Sequence, residues 1–355
     1  MDLKFGFSMN PGDLGEVRDV GRAAETAGYD RVGVWDSPAL FHDPWVTLAS
    51  LAEHTRSIRL GTWVTNPLTR HPVVTASAAA SLDELAPGRV VLGIGTGDSG
   101  VYNLARSAAP LDALREYVEA VRGLLTEGEA TWQGGTLRMR PARNPVPIWI
   151  SAHGARSIRM AGRIGDGVVF GLGVSPEVVT QSLSMLERGA EEAGRDVAEL
   201  ERWFTAPWYV DRDRAEAREG ALWHVASLAH HISRSGVAGK FMPERMAAGV
   251  LELGNAYDLM SHGDPSESLR AEYRALARSS GVADYLIDRF TISGTPEECA
   301  GRVLASAEAG AERHDCANDS PVGGLGERPH VWAAEVMPLL DPHPTTPRIE
   351  RTAHV

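Results

Sequence analysis

The sequence predicts an α/β protein, a closed (β/α)8 TIM barrel with a helical insertion near the C-terminal mouth. Two observations lead there. Short apolar runs alternate with segments of helical period from one end of the 355-residue chain to the other, giving eight strand–helix units. Strands separated by helices of about 10–15 residues require a parallel sheet, and eight units favour closure over an open, doubly wound sheet. The length fits one such domain.

The units follow in order. The run 3–9 precedes an amphipathic stretch 13–27 that ends at Gly28. Run 31–35 leads to a helix near 44–55, and run 58–64 to helix 72–85. Runs 89–95, 146–152 and 166–172 lead to helices 110–126, 154–164 and 175–194. The seventh strand is 202–210. The eighth, "ERHDCAND" at 312–319 before helix 328–340, is polar for a barrel strand. A hairpin is expected within 132–145, with Gly134-Gly135 as its turn. Residues 212–298 hold several helices and no obvious strand, too long for an ordinary connection. They read as a substrate lid inserted into a single domain spanning 1–340, with 341–355 a loose Pro- and Thr-rich tail.

The net charge of -12 argues against nucleic acid or an anionic membrane surface as partner. No apolar run approaches the roughly 18 residues of a membrane span, and the N-terminus lacks a signal-peptide pattern, so a cytoplasmic protein is expected. The two cysteines, Cys299 and Cys316, make neither a disulfide framework nor a metal knuckle.

Barrel chemistry sits after the strands. Those positions carry Asp36-Ser37-Pro38, Thr65-Asn66-Pro67, "GIGTGDSG" at 93–100, Ser151-Ala152-His153-Gly154 and Gly171-Leu172-Gly173. Small residues there let a flat or phosphorylated ligand approach the backbone. The glycine spacing of 93–100 is wrong for a dinucleotide fingerprint, and the next expected helix starts too far away. As a barrel loop, with Gly97 at its centre, it suits a planar ring. Asp98 is either a hydrogen-bond partner or acid for that ligand, or a turn-capping aspartate. The amides around His153 and Gly154 open a helix, which suits a phosphate or is simply a well-made helix start.

Metal, Schiff-base and nucleophile-elbow chemistries find no support. No H-E-x-x-H or G-x-S-x-G occurs, and the lysines stand only at Lys4 and Lys240. His224 and His231, at i, i+7, read as a lid surface. A barrel with glycine-rich strand ends and no engine of its own implies that a bound cofactor does the chemistry.

The stretch "LGTWVTNPLTRHPVVTASAAASLDELAPGRVVLGIGTGDSG", continued by "PVPIWISAHGARSIRMAGRIGDGVV", resembles the luciferase-like monooxygenase superfamily, and most closely its coenzyme F-420-dependent branch. The resemblance covers roughly residues 3–200. It implies hydride transfer between a deazaflavin and a small organic substrate; the alternative is a two-component monooxygenase using FMN from a partner flavin reductase, and O2. It implies a non-prolyl cis peptide at Thr62-Trp63 behind the central ring, and Thr65, with Asn66 beside it, at the cofactor. Asp36 matches the acidic residue after the second strand, and Asp98 one near the redox face. Ser151, Ala152, His153 and Gly154 match the loop that holds the cofactor phosphate. Several F-420 enzymes have Asp-His after the second strand, where this chain has Asp36-Ser37. Proton transfer then falls to Asp98, His42 or His71, with Pro67 and Pro72 bracketing a turn that presents Arg70 and His71 to the mouth. Homodimers are common in the family.

Overall fold

The structure, a computed structural model, describes residues 2–234, 236–263, 265–318 and 324–340. The tail expected at 341–355 lies outside the described residues. Eight parallel strands close a barrel: β1 (Lys4–Met9), β2 (Arg31–Val34), β3 (Arg59–Thr65), β4 (Val90–Ile94), β5 (Ile148–Ala152), β6 (Gly167–Phe170), β7 (Glu201–Ala206) and β8 (Arg313–Asn318). They stand in sequence order around the ring, with β8 pairing β1 and β7. Helices pack outside, and their starts are set locally. Asp13 and Asp43 accept the first amides of Leu14–Thr26 and Pro44–His54, and the latter helix carries its proline where no amide hydrogen is needed. No helix of the described residues is long and apolar enough to cross a membrane.

Side chains alternate about the barrel wall, as strand geometry requires. One set packs outward under the helices in the main core, with Phe7, Val32, Leu60, Leu92, Ile150 and Phe204 among it. The other set fills the barrel with aromatics: Trp63, Trp149 and Trp203, joined by Trp35, Val91 and Val169. Arg31 points into that interior, 3.4 Å from the Trp63 ring centroid, and is ion-paired with Asp315.

The polarity of β8 now has a reason. Asp315 is fully buried and accepts from Ser8 Oγ at 2.9 Å and Thr205 Oγ1 at 3.0 Å, besides Arg31. His314 faces the other way and meets Ser306 Oγ at 2.6 Å on the helix Pro296–Glu308. Both oxygens of Asp315, the inward carboxylate, have partners, so the strand is an ordinary member of the barrel.

Three expectations are corrected. The seventh strand does not run through 202–210: it stops at Ala206, and Pro207 turns the chain into a short strand, Trp208–Val210, that pairs with Ile292–Gly294. The insertion therefore does contain a strand. The hairpin strands are Glu129–Trp132 and Gly135–Arg138, so its turn is Gln133-Gly134 and not Gly134-Gly135. Both turn residues have positive φ, 48° and 79°, as a two-residue hairpin loop of matching twist demands. Finally, a one-turn helix, Ser99–Tyr102, begins directly after Asp98, much closer to β4 than the helix expected at 110.

The insertion packs as a unit. Helices Arg214–Leu222, Val225–Ser233, Ala247–Asn255, Glu267–Ser279 and Ala283–Phe290 enclose a second apolar core containing Trp223, Ile232, Leu253, Tyr273 and Leu286. Such a core lets the insertion hold a fixed shape over the mouth.

Candidate active site

A cavity of about 200 Å³ opens where the C-terminal ends of β2 to β7 meet the insertion. Its barrel side is built by Asp36, Trp63, Val64, Asn66, Gly95, Gly97, Asp98, Ser151 and His153. Its insertion side is built by His224, Leu228, His231, Arg234, His262 and Phe290. The wall beside β4 is made of backbone. A Cβ on Gly95 would meet Ser151 Cβ and Val64 Cγ2, both at 3.3 Å, and Gly97 holds φ 98°. Side chains there would press on Ser151, Val64 and Val101 and reshape the wall.

β3 carries the irregularity on which the wall turns. Its register against β4 shifts between Thr62 and Thr65. The cis peptide lies between Trp63 and Val64, one residue after the expected Thr62-Trp63 position. Thr62 faces away from the cavity and donates to Gly93 O at 2.7 Å. Trp63 drops into the barrel, while Val64 lines the cavity.

Asp36 is the barrel carboxylate at this wall, and it is buried. One oxygen, Oδ2, accepts from Thr65 Oγ1 at 2.6 Å and from Arg70 Nη1 at 2.5 Å. The other, Oδ1, is buried with no protein hydrogen-bond partner. The Asp36 side chain is 0% exposed, so this oxygen is closed off from the cavity and the carboxylate serves to brace the wall. Thr65 does not line the cavity as expected; it stands behind Asp36 and fixes it. Arg70 is likewise turned inward, bridging Asp36 and Asp43 at 2.5 and 2.7 Å instead of facing the mouth. Asn66 lines the cavity, but its Oδ1 accepts from Leu68 and Thr69 amides at 3.0 Å, which shapes the turn.

The two histidines expected near the substrate are elsewhere. His42 is exposed and bonded through Nδ1 to Gly12 O at 2.7 Å. His71 is exposed and accepts from Val73 N, capping the helix Pro72–Leu85. Each is held by local backbone, outside the cavity.

Asp98 faces the cavity, and its carboxylate caps no amide of the helix that follows. It reaches the insertion instead. Arg234 Nη1 lies 2.6 Å from Oδ1, His231 Nδ1 2.7 Å from Oδ2, and His230 Nε2 3.5 Å from Oδ1. Burial pushes this carboxyl up, but Arg234 and the histidines outweigh it and hold Asp98 well below the usual carboxylate range. Asp98 is thus an anion that ties the β4 loop to the insertion, and a poor acid. Neither His231 nor Arg234 was identified from sequence as a site residue. The readable signal was the run "HHISR", which puts His230, His231 and Arg234 on adjoining faces of one helix end.

After β5, Ser151 and His153 line the cavity and meet each other, Oγ to Nε2, at 3.2 Å. Burial, helped by His231, Arg234 and Lys240, holds His153 well below the ordinary histidine range, so it is neutral. Ala152 is buried in the core and faces outward. Gly154 caps the helix Ala155–Ile164 without a side-chain bond. The first amide of that helix, Ala155 N, donates to Gly239 O at 3.3 Å, and Lys240 Nζ donates to His153 O. Insertion residues thus cover the expected phosphate loop, and they bring a cation to it. Burial, with Arg234 and Arg289, pushes the Lys240 ammonium down to about 8.

Comparison with known proteins places this geometry. The luciferase-like monooxygenase profile matches residues 4–313. The chain is 30% identical over 335 residues to the 5,10-methylenetetrahydromethanopterin reductase of Methanolobus tindarius, covering 92% of this chain and 97% of that one. It is 33% identical over 270 residues to the F-420-dependent glucose-6-phosphate dehydrogenase of Nakamurella multipartita, covering 69% and 79%. The coenzyme F-420-dependent tetrahydromethanopterin reductase of Methanopyrus kandleri superposes with a TM-score of 0.72 at 23% identity, over 96% of this chain and 100% of that one.

Proposed function

The chain belongs to the luciferase-like monooxygenase family, and from that premise we propose that it is an F-420-dependent oxidoreductase acting on a small organic substrate. The observation that carries this reading is the cavity wall of backbone and small residues at Gly95, Gly97 and Ser151, in a chain 33% identical to an F-420-dependent glucose-6-phosphate dehydrogenase. Such a wall fits a flat tricycle. When bound, a deazaflavin supplies or accepts one hydride.

The protein's share of the work is placement. Asp36, fixed by Thr65 and Arg70, would brace the wall behind the ring. Val64, Gly95, Gly97 and Ser151 would hold the ring, and Asn66 shapes the adjoining turn. Ser151, His153 and Gly154, with Lys240 beside them, receive the anionic tail. The insertion serves as the substrate lid: Leu228 and Phe290 exclude water, while His224 and His262 present polar edges. The same reading expects a homodimer.

Titration of the purified protein with F-420 and with FMN, followed by quenching of cofactor fluorescence, tests it. F-420 should bind at micromolar concentration or below, and FMN at least tenfold more weakly. Tight FMN binding with no response to F-420 would shift the assignment to a two-component monooxygenase that draws reduced FMN from a separate reductase. A panel of ketones, aldehydes, imines and activated alkenes, scored by F-420 absorbance, then identifies the substrate class.

A further inference from the structure

A hydride transfer to or from carbon leaves one proton to be accounted for on the substrate's oxygen or nitrogen. The groups expected to carry it are unsuited. Asp98 is locked as an anion, and His42 and His71 lie outside the cavity. His153 is neutral and bonded to Ser151.

From the geometry we infer that His231 is the proton-transferring residue of this site, and that Asp98 is its positioning partner. The inference rests on the hydride-transfer reading above. His231 lies in the cavity wall on the helix Val225–Ser233. Its Nδ1 is 2.7 Å from Asp98 Oδ2, an ion-pair distance at which the carboxylate favours a proton on Nδ1 and leaves Nε2 to exchange one with the substrate. This is the division of labour in any carboxylate–imidazole pair: one nitrogen is pinned by an anion and the other works. The other two histidines of the insertion wall are tied differently. His224 shares a hydrogen bond at Nδ1 with Tyr209 and His262 with Tyr257, both neutral phenols.

The balance is simple. When the substrate carbon accepts a hydride from the reduced deazaflavin, its carbonyl oxygen or imine nitrogen takes the Nε2 proton of doubly protonated His231. The ring is left neutral with its remaining proton on Nδ1, facing Asp98. Oxidation of an alcohol or amine runs the same transfer backwards. The groups that face His231 are Asp98 and His153 from the barrel, His230 and Arg234 from its own helix end, and His262 from the neighbouring segment. Arg234 is engaged by Asp98, so the charge beside His231 is shared and not additional.

Two measurements test this, the first of them independent of the cofactor assignment. In cofactor-free, full-length protein labelled with 15N-histidine, the His231 signals are identified by their loss in His231→Gln. The neutral ring should carry its proton on Nδ1, and Asp98→Asn should redistribute it towards Nε2. A wild-type ring with its proton on Nε2 would overturn the pairing. If the F-420 titration fails while this tautomer is found, the pair stands and the cofactor reading falls. With the best substrate of the panel, His231→Gln should lower kcat by roughly 10²- to 10⁴-fold, with KM and F-420 affinity changed less than about threefold. An unchanged kcat, or a loss confined to F-420 affinity, would reduce His231 to a wall residue and overturn the inference.

Discussion

Arg31 of β2 and Asp315 of β8 form an ion pair inside the barrel, 1% and 0% exposed, with the guanidinium between the rings of Trp63 and Trp203. Burial draws the arginine down from its ordinary range, and Asp315 opposes that. The pair lies beneath the cavity floor and fixes Trp63, the residue before Val64.

Removing one partner should be much worse than removing both. Asp315→Asn leaves a buried guanidinium without its counter-charge and weakens the acceptor for Ser8 and Thr205. Urea denaturation should show a loss of about 3–5 kcal/mol. Arg31→Met combined with Asp315→Leu should recover a good part of it. Equal losses in single and double variants would mean that the ion pair is not the source of the cost.

This pair also marks where reading the sequence stops. The eight units, their order and most helix starts were visible, because apolar periodicity and capping residues are local signals. The polar run 312–319 was visible too, yet its polarity made sense only with Arg31, 284 positions away. The site divides the same way. Asp36, Gly97, Asp98 and Ser151 follow strands, and strand ends in a barrel converge by construction. His42 and His71 sit in loops, where a few backbone bonds decide which way a ring points. The partners of Asp98 come from the insertion, whose path over the mouth no local pattern dictates. Thr65 was expected to touch the cofactor; it bonds Asp36 instead, beside the register shift in β3.

Asp36 offers the cleanest binding test. Asp36→Ala removes the buried carboxylate that ties Thr65 and Arg70 into the cavity wall, while Arg70 keeps Asp43 as partner. Losing the hydrogen bonds to this charged group, each worth about 1.5–3 kcal/mol, should loosen the wall, and F-420 should bind at least roughly tenfold more weakly. Circular dichroism should stay unchanged. Undiminished affinity would place the cofactor elsewhere in the mouth.

Arg234 should act as the latch between insertion and barrel. Arg234→Met removes the strongest attraction on the Asp98 carboxylate, and the histidines beside it are weaker substitutes. Amide hydrogen exchange should rise in the helices Val225–Ser233 and Ala247–Asn255, by about tenfold or more, while the barrel strands keep their protection. Uniform loss of protection across both would show that the residue supports the whole fold and not the docking of one part.

His314 should give the protein a measurable acid sensitivity of its own. The ring is fully buried against Phe5, Nε2 is bonded to Ser306, and Nδ1 is buried without a hydrogen-bond partner. Burial pushes it down to about 4. The unfolded chain takes up a proton near the ordinary histidine value of about 6.5, whereas the folded ring resists until about 4. Stability from the neutral ring is therefore complete above about 6.5 and is lost progressively as the pH falls towards 4. Between pH 7 and pH 5 this group alone should account for about 2 kcal/mol. His153 pulls in the same direction, while Asp98, held low, enters only in stronger acid. The comparison is therefore with His314→Gln, which keeps a polar end for Ser306 and cannot titrate. The variant should be less stable at pH 7, but its urea midpoint should fall less between pH 7 and pH 5 than that of the wild type. Parallel declines would mean that His314 is protonated, or reached by water, in the folded protein.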